Sequence, residues 1–301
     1  MSGETSEARP EGRPLSLSVV IPCFDAADTL GEQLEALAGQ RWDGPWEVLV
    51  ADNGSTDGSA AVAERFRDRL PGLRVVDASG RRGPGHARNR GAAEAAGDAL
   101  LFTDADDRVG EGWLAAMGRA LAEHDFVAAR YDATLLNPQA VVRSRANPQE
   151  RGLIPYDYPP FLPHAGGSSL GVKRRLHEAV GGFDEGLPAL EDTDYCWRIQ
   201  LAGTPLVAAP EAMVHIRYEA EARGLFRQSF RFGVYNVLLY ARYRGRGMPR
   251  LPFAAGLARW AKLLLTAPRV LLPSARAAWL GQLGWRLGRL WGCLRFRVAA
   301  L

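Results

Sequence analysis

Short apolar runs alternate with helical apolar spacings along the first two thirds of the chain. Leu17-Ser18-Val19-Val20-Ile21-Pro22 reads as a strand stopped by proline, and Leu30, Leu34 and Leu37 then recur at i, i+4 and i+7, the face of an amphipathic helix. Thr29-Leu30-Gly31-Glu32 offers that helix a capping box. The unit repeats. A strand over 46–51 precedes a helix over 59–70 faced by Ala60, Val62 and Phe66; a strand over 73–76 precedes an Ala-rich helix over 86–96 closed by Gly97; another strand covers 99–103. Repeated βα alternation predicts an α/β fold, a doubly wound, mainly parallel sheet with helices on both faces. A helix over 113–123 and a strand over 125–129 extend it.

The period then lapses between Tyr131 and Pro163, where Pro155, Pro159, Pro160 and Pro163 stand among Tyr156, Tyr158 and Phe161. A structured loop of this kind over a site commonly reads substrate. Regularity returns over 170–180 and in a helix from about Glu191 to Leu201, followed by short strands near Leu206 and Val214. After Tyr218 the pattern is mostly helical, divided by Pro249, Pro252, Pro268 and Pro273.

With 47% hydrophobic and 24% charged residues among 301, the chain is ordinary globular material rather than disordered. Residues 1–14 lack an apolar core and read as a disordered lead, not a signal peptide. Three cysteines without close spacing support neither a disulfide framework nor a zinc knuckle and fit a cytoplasmic location. Charge divides the chain in two. Residues 217–301 hold 16 Lys+Arg against Glu219 and Glu221, a net of +14, whereas residues 1–216 hold 21 basic and 32 acidic residues, a net of −11. The basic part carries Trp279, Trp285 and Trp291 among Arg276, Arg286 and Arg289, a composition suited to an anionic membrane surface. Its apolar stretch 260–272 is interrupted by Lys262 and Arg269 and falls short of the ~20 residues a span requires, so lying on the interface is expected, with packing on the catalytic part or on a second subunit as the alternative.

Three acidic clusters carry the chemistry: Asp52-Asn53-Gly54-Ser55-Thr56-Asp57, Asp104-Ala105-Asp106-Asp107 and Glu191-Asp192-Thr193-Asp194. The first two follow predicted strands, and in open α/β sheets ligands gather beyond the carboxyl ends of the strands. Asp104 and Asp106, flanking one residue, suit a hard divalent cation that also binds substrate phosphates. Asp52 is placed to accept from a base N–H or a ribose hydroxyl, and Asp192 has the acidic neighbours that fit a carboxylate general base. His215 can add a neutral imidazole to a metal shell. In Gly83-Pro84-Gly85-His86-Ala87-Arg88-Asn89, glycines and a helix N-terminus with Arg88 favour a phosphate. Taken singly, these pieces read as turns, helix caps and a structural histidine. The chain lacks Gly-x-Gly-x-x-Gly after its first strand and Gly-Lys-Ser/Thr, which demotes dinucleotide-binding and phosphate-loop NTPase sites.

In order along residues 18–217, Val19-Val20-Ile21-Pro22-Cys23-Phe24, the three acidic clusters, the Gly83–Asn89 segment, Gly181-Gly182-Phe183-Asp184-Glu185 and His215 resemble the inverting family-2 glycosyltransferases of GT-A fold. The resemblance implies a GT-A nucleotide-sugar-binding and catalytic domain over 15–218, followed by a basic amphipathic helical extension over 219–301. It implies that Pro22, Phe24 and Asp52 cradle the nucleoside, most often uridine, with Arg88 and Glu191 also on the donor side. Asp104 and Asp106 would serve the ribose and the metal–diphosphate group, with His215 a further ligand of Mn2+ or Mg2+ and Asp192 the base for the acceptor hydroxyl. Asp25 stands where the family often has asparagine, and Asn53 where it often has a second aspartate. The implied partners are a UDP-sugar donor and a glycan or lipid-linked acceptor of the cell envelope, at the cytoplasmic face of a membrane, and not nucleic acid. The alternatives are a sugar nucleotidyltransferase, against which the absence of a Gly-rich basic loop after the first strand counts, and a catalytically inactive membrane scaffold.

Overall fold

A computed structural model describes residues 14–219 and 221–300, so most of the expected lead over 1–14 lies outside the described residues. The first half follows the βα order read from the sequence. It runs β1 (Leu17–Cys23), α1 (Ala27–Ala38), β2 (Trp46–Asp52), α2 (Ser59–Glu64), β3 (Arg74–Asp77), α3 (Pro84–Glu94), β4 (Ala99–Phe102), β5 (Arg108–Val109), α4 (Trp113–Glu123) and β6 (Phe126–Asp132). The second half adds α5 (Gln139–Ser144), β7 (Ile154–Asp157), β8 (Pro160–His164), β9 (Leu170–Lys173), α6 (Arg174–Ala179), α7 (Glu191–Leu201) and β10 (Val207–His215), then α8 (Ala222–Tyr243), α9 (Phe253–Leu265) and α10 (Pro273–Phe296).

Eight strands form one sheet in the order β3-β2-β1-β4-β9-β6-β10-β5, with parallel pairing in β3-β2-β1-β4 and β6-β10. β9 runs antiparallel to both its neighbours, and so does β5 to β10. At the centre β1 is flanked on both sides by parallel strands and buries Val19 and Ile21 in one core, Val20 in the other. That alternation follows from the two-residue period of a strand. Leu30, Leu34 and Leu37 of α1 fill the first core with Trp113 and Met117 of α4, while Phe183 and Tyr195 of α7 stack in the second, ring centroids 4.1 Å apart.

Several expectations are corrected. The capping box does not form: α1 begins after Ala26, and its first amides are held from a distance, Ala27 N donating to Asp57 Oδ2 at 2.8 Å and Ala26 N to Ser59 Oγ at 2.8 Å. α2 stops at Glu64, short of the expected 59–70. The aperiodic stretch holds α5 and the β7–β8 hairpin, whose short strands carry prolines that obscure their period. The two short strands near Leu206 and Val214 are one strand, β10, broken in register between Ala209 and Met213.

Among the described residues, no helix is long and apolar enough to cross a membrane. The C-terminal helices divide their surfaces. Val237, Leu239, Tyr240 and Tyr243 of α8 share a core with Leu187 and with Trp197 of α7, the Trp197 and Tyr243 rings meeting at 5.0 Å. α10 runs alongside α8, where Gly284, Gly288 and Gly292, one turn apart, press against the carbonyl oxygens of Phe226, Phe230 and Val234. α9 is turned the other way. Its Leu263 is buried and its Arg259 stacks 3.9 Å over the Tyr158 ring, while Leu257 and Leu264, seven residues apart on one face, are exposed together with Leu265 at 82%.

The α8–α10 contact requires hydrogen in place of a side chain. Gly288→Val is expected to lower the thermal midpoint by several degrees, on the scale of the ~1–3 kcal/mol that overpacking costs. Gly245→Ala, at a position with nothing within 4 Å of the added methyl, is expected to leave it unchanged in the same melting experiment.

Candidate active site

A cavity of about 550 Å³ opens beyond the carboxyl ends of β1 and β4, neighbours in the sheet between which the direction of winding reverses: the chain leaves β1 for β2 on one side and returns from β3 to β4 on the other. Such a switch point is where open α/β sheets take ligands. Pro22, Phe24, Arg82, Arg88, Asp104 and Asp106 are on its wall, and Arg217 closes one side. Phe24 is exposed, with the Arg82 guanidinium 3.9 Å over its ring, a flat platform at the mouth.

Asp104 and Asp106 line the cavity, and with Asp107 beside them each presents a carboxylate oxygen within 4.8 Å of the others. Three hard anionic donors so close fit a divalent cation of the Mg2+ or Mn2+ type. Without a cation they repel. Loss of water and the charge of Asp104 push Asp106 up to about 6; because that residue is exposed, the neighbouring charge is the more durable of the two causes. Asp107, buried, is raised further by desolvation and by Asp106, against a hydrogen bond that its Oδ1 accepts from Arg217 N at 3.0 Å. The acidic turn is clamped from behind by Gln33 of α1, whose Nε2 donates to Thr103 Oγ1 at 2.7 Å and to Asp104 O at 3.1 Å while its Oε1 accepts from Val109 N at 2.9 Å.

Arg88 connects this cluster to α7. Its Nη2 donates to Asp104 at 2.7 Å and its Nη1 to Glu191 Oε1 at 2.9 Å, both ends of a guanidinium that is only 3% exposed. Gly167 leaves it room, since a side chain there would meet Nη2 at 2.6 Å. Arg88 therefore lines the cavity with each terminal nitrogen donating to a carboxylate, while its buried Nε has no partner. Beside Glu191, half-buried Asp192 is held by two backbone amides, Oδ1 accepting from Thr193 N at 2.7 Å and Oδ2 from Gly167 N at 3.1 Å. The residue before them, Leu190, takes φ 61°, a left-handed backbone that a branched side chain rarely adopts and that sets the first turn of α7 against Arg88.

Of the sequence-selected residues, Pro22, Phe24, Arg88, Asp104 and Asp106 line one cavity; Asp52, Glu191, Asp192 and His215 lie outside its wall. Asp52 Oδ1 accepts from Ser55 N at 2.9 Å, within its own turn. His215 is not part of the carboxylate cluster: its Nδ1 meets Asp132 Oδ2 at 2.6 Å, which leaves Nε2 as the nitrogen for any ligand. Asn53 turns out to be a brace, buried, with Oδ1 accepting from Gly83 N at 2.8 Å and Nδ2 donating to Arg81 O at 2.7 Å. Asp25 takes φ 44° and its Oδ1 accepts from Thr56 N at 2.8 Å, a conformation that aspartate and asparagine share. The Gly83–Asn89 segment docks on the Phe183–Glu185 turn through Asn89, which donates to Phe183 O at 2.9 Å and accepts from Phe183 N at 2.8 Å. Sequence reasoning missed Gln33, Arg82, Asp107 as a third carboxylate of the cluster, and Arg217. A glutamine inside the Leu30–Leu34–Leu37 stripe was the one available signal.

The family model described as glycosyl transferase family 2 matches residues 18–181, more than half of the chain. The chain belongs to glycosyl transferase family 2. Among curated relatives, the pre-mycofactocin glycosyltransferase of Mycobacterium tuberculosis is 26% identical over 271 residues, covering 86% of this chain and 55% of that protein, so the chain spans about half the relative's length. Among solved structures, the mannosyltransferase PcManGT of Pyrobaculum calidifontis, in complex with GDP-Man and Mn2+, superposes with a TM-score of 0.66 at 21% identity over 94% of this chain and 88% of its own. S. aureus TarS residues 1–349 in complex with UDP-GlcNAc gives 0.54 at 17% identity over 94% and 92%. These likenesses establish the GT-A fold.

Within that family frame Glu191 supplies a test of the buried network. Loss of water and then the charge of Asp192 push it up to about 7, with Arg88 opposing. The folded protein thus holds this proton more tightly than the unfolded chain, where glutamate titrates near ~4.3; the stabilisation is complete below that value and is lost as pH rises through about 7. In metal-free buffer, Glu191→Gln is expected to gain thermal stability relative to the parent between about pH 5 and about pH 8, and parallel melting profiles would contradict the assignment.

Proposed function

We propose that the chain is an inverting, metal-dependent glycosyltransferase that moves a sugar from a nucleotide sugar to an acceptor hydroxyl in cell-envelope glycan or glycolipid synthesis, with UDP-sugars the first donors to test. The observation that carries this reading is the link from the carboxylate cluster, through buried Arg88, to the first turn of α7. It ties a cation-and-diphosphate site to a second carboxylate pair across a single guanidinium. The complexes of PcManGT with GDP-Man and Mn2+ and of TarS with UDP-GlcNAc support a nucleotide-sugar donor.

In this reading Phe24 with Arg82 stacks the base, Pro22 shapes the wall beside it, and Asp52 accepts from the nucleoside. Asp104 and Asp106 would hold Mn2+ or Mg2+, with Asp107 and His215 Nε2 as further candidate ligands, and the ion would supply Lewis-acid neutralisation of the departing diphosphate. Asp192 takes the proton from the acceptor hydroxyl; that oxygen forms a bond to the anomeric carbon from the face opposite the diphosphate, whose bond breaks, so the configuration inverts. The amides of Thr193 and Gly167 keep the Asp192 carboxylate aimed while Arg88 holds Glu191 and Asp104 in register. Residues 15–218 make this catalytic part and 219–301 the extension.

Asp192→Asn is expected to lower sugar transfer by about 10²–10⁴-fold, the usual worth of a general base, with the Mn2+-dependent stabilisation by nucleotide sugar in thermal-shift titrations retained. Turnover within a few-fold of the parent would remove Asp192 from the role. Release of pyrophosphate from a nucleoside triphosphate would instead identify a nucleotidyltransferase.

The outward apolar face of α9 supports peripheral attachment to the cytoplasmic face of a membrane. Leu264→Asp with Leu265→Asp is expected to release the protein from sedimented anionic vesicles; undiminished binding would place the contact elsewhere.

A further inference from the structure

A second cleft, about 760 Å³, lies between α5, α8, α9 and α10 and is lined by Arg145, Arg259, Lys262 and Arg286 with no carboxylate among its lining residues. Several cations elsewhere in the chain are paired, among them Arg67 with Glu64, Arg69 with Glu35, Arg74 with Glu47 and Arg198 with Asp194. Among the described residues Arg145, Arg259, Lys262 and Arg286 make no ion pair. Glu219, which acts on Arg145, is outside the lining, and its Oε1 accepts from Glu221 N. The Nε atoms of Arg145 and Arg286 are buried and lack any hydrogen-bond partner. Arg289 approaches from behind, 5.3 Å from the Tyr158 ring that Arg259 covers on contact. Arg259 and Arg289 act on Arg286 as like charges, no carboxylate lines the cleft, and unpartnered buried guanidinium nitrogens are costly. An anion in the cleft would offset the like charge.

We propose that this cleft is a binding site for the phosphate group of an anionic ligand. Guanidinium forks suit phosphate oxygens, and the hydroxyl of Ser229 and the amide of Gln282 on the same wall complete the donor set. The cleft is independent of the donor cavity, so its assignment stands or falls apart from the sugar-transfer reading. Two structural links give it direction. Exposed Leu265 lies only roughly 60° round α9 from Lys262, so apolar surface stands at the edge of the cleft, which favours a phosphate carried on a lipid. The chain after β10 joins the two cavities: Arg217 lines the donor cavity, Tyr218 lies under the Arg145 guanidinium at 5.2 Å, and Glu219 O accepts from Arg145.

The test measures binding of inorganic phosphate by calorimetry, and of phosphatidylglycerol and phosphatidylcholine vesicles by sedimentation, in EDTA at low salt. Arg259→Gln/Lys262→Gln/Arg286→Gln is compared with Arg231→Gln/Arg244→Gln/Arg250→Gln, which removes the same charge from exposed positions outside the cleft. The cleft variant is expected to lose at least about tenfold in affinity and the control less than about twofold, a difference beyond ~1 kcal/mol. Loss of both phosphate and phosphatidylglycerol binding assigns a site open to either source; loss of phosphatidylglycerol binding alone assigns a lipid headgroup. Equal losses in the two variants, equal binding of the parent to phosphatidylcholine, or no binding of any probe overturns the proposal. Should the triple variant fail to fold, Lys262→Gln alone, at an exposed lysine, is expected to weaken binding by about threefold, and unchanged affinity overturns the proposal equally.

Discussion

A single buried cation organises the candidate site. Arg88 enters from the second turn of α3, and at 3% exposure it would be costly without the two carboxylates at its ends, Asp104 at 2.7 Å and Glu191 at 2.9 Å. Those partners belong to segments far apart in sequence, the turn after β4 and the first turn of α7. Nearly everything around them serves to hold that junction. Gln33 clamps one turn, the strained Leu190 sets the other, Asn89 docks α3 on the turn before α7, and Gly167 leaves the space that the guanidinium fills. The same cation opposes the rise of Asp106, which loss of water and the charge of Asp104 cause, and carboxylates crowded in this way suit a divalent cation.

The fold was legible where one period dominates. The strands at β1, β2 and β4 and the helices α4 and α7 stand where the apolar spacing places them, because parallel strands covered on both faces must be apolar throughout and surface helices must not be. It was illegible where tertiary contacts replace local ones. The start of α1 takes its capping groups from Asp57 and Ser59, some thirty residues away, so no local box is needed. β5 has two residues and exists only by pairing with β10. In the site, acids after strands were readable as a class, whereas the difference between a wall residue and a brace was not: Asn53 and Gln33 are identified by what they hydrogen-bond, and that depends on loops brought together from separate parts of the chain.

The charge asymmetry acquires a structural meaning. The acidic portion carries the carboxylate-lined cavity, and the +14 portion is not a free tail but a helical layer joined to α7 through Trp197 and Tyr243. Glycines let α8 and α10 approach, which leaves α9 on the outside with its leucines turned outward. A molecule built in this way is polarised, and an anionic surface would draw its basic layer while repelling the acidic side, setting an orientation as well as an attachment.

The most direct measurement is manganese anomalous scattering from crystals grown with Mn2+ and a nucleoside diphosphate. The account predicts one strong peak bridged by Asp104 and Asp106, with the diphosphate beside it and the Asp192 carboxylate on the open side of the sugar position. A peak remote from those aspartates, or a diphosphate bound with Asp192 turned away behind Arg88, would contradict it.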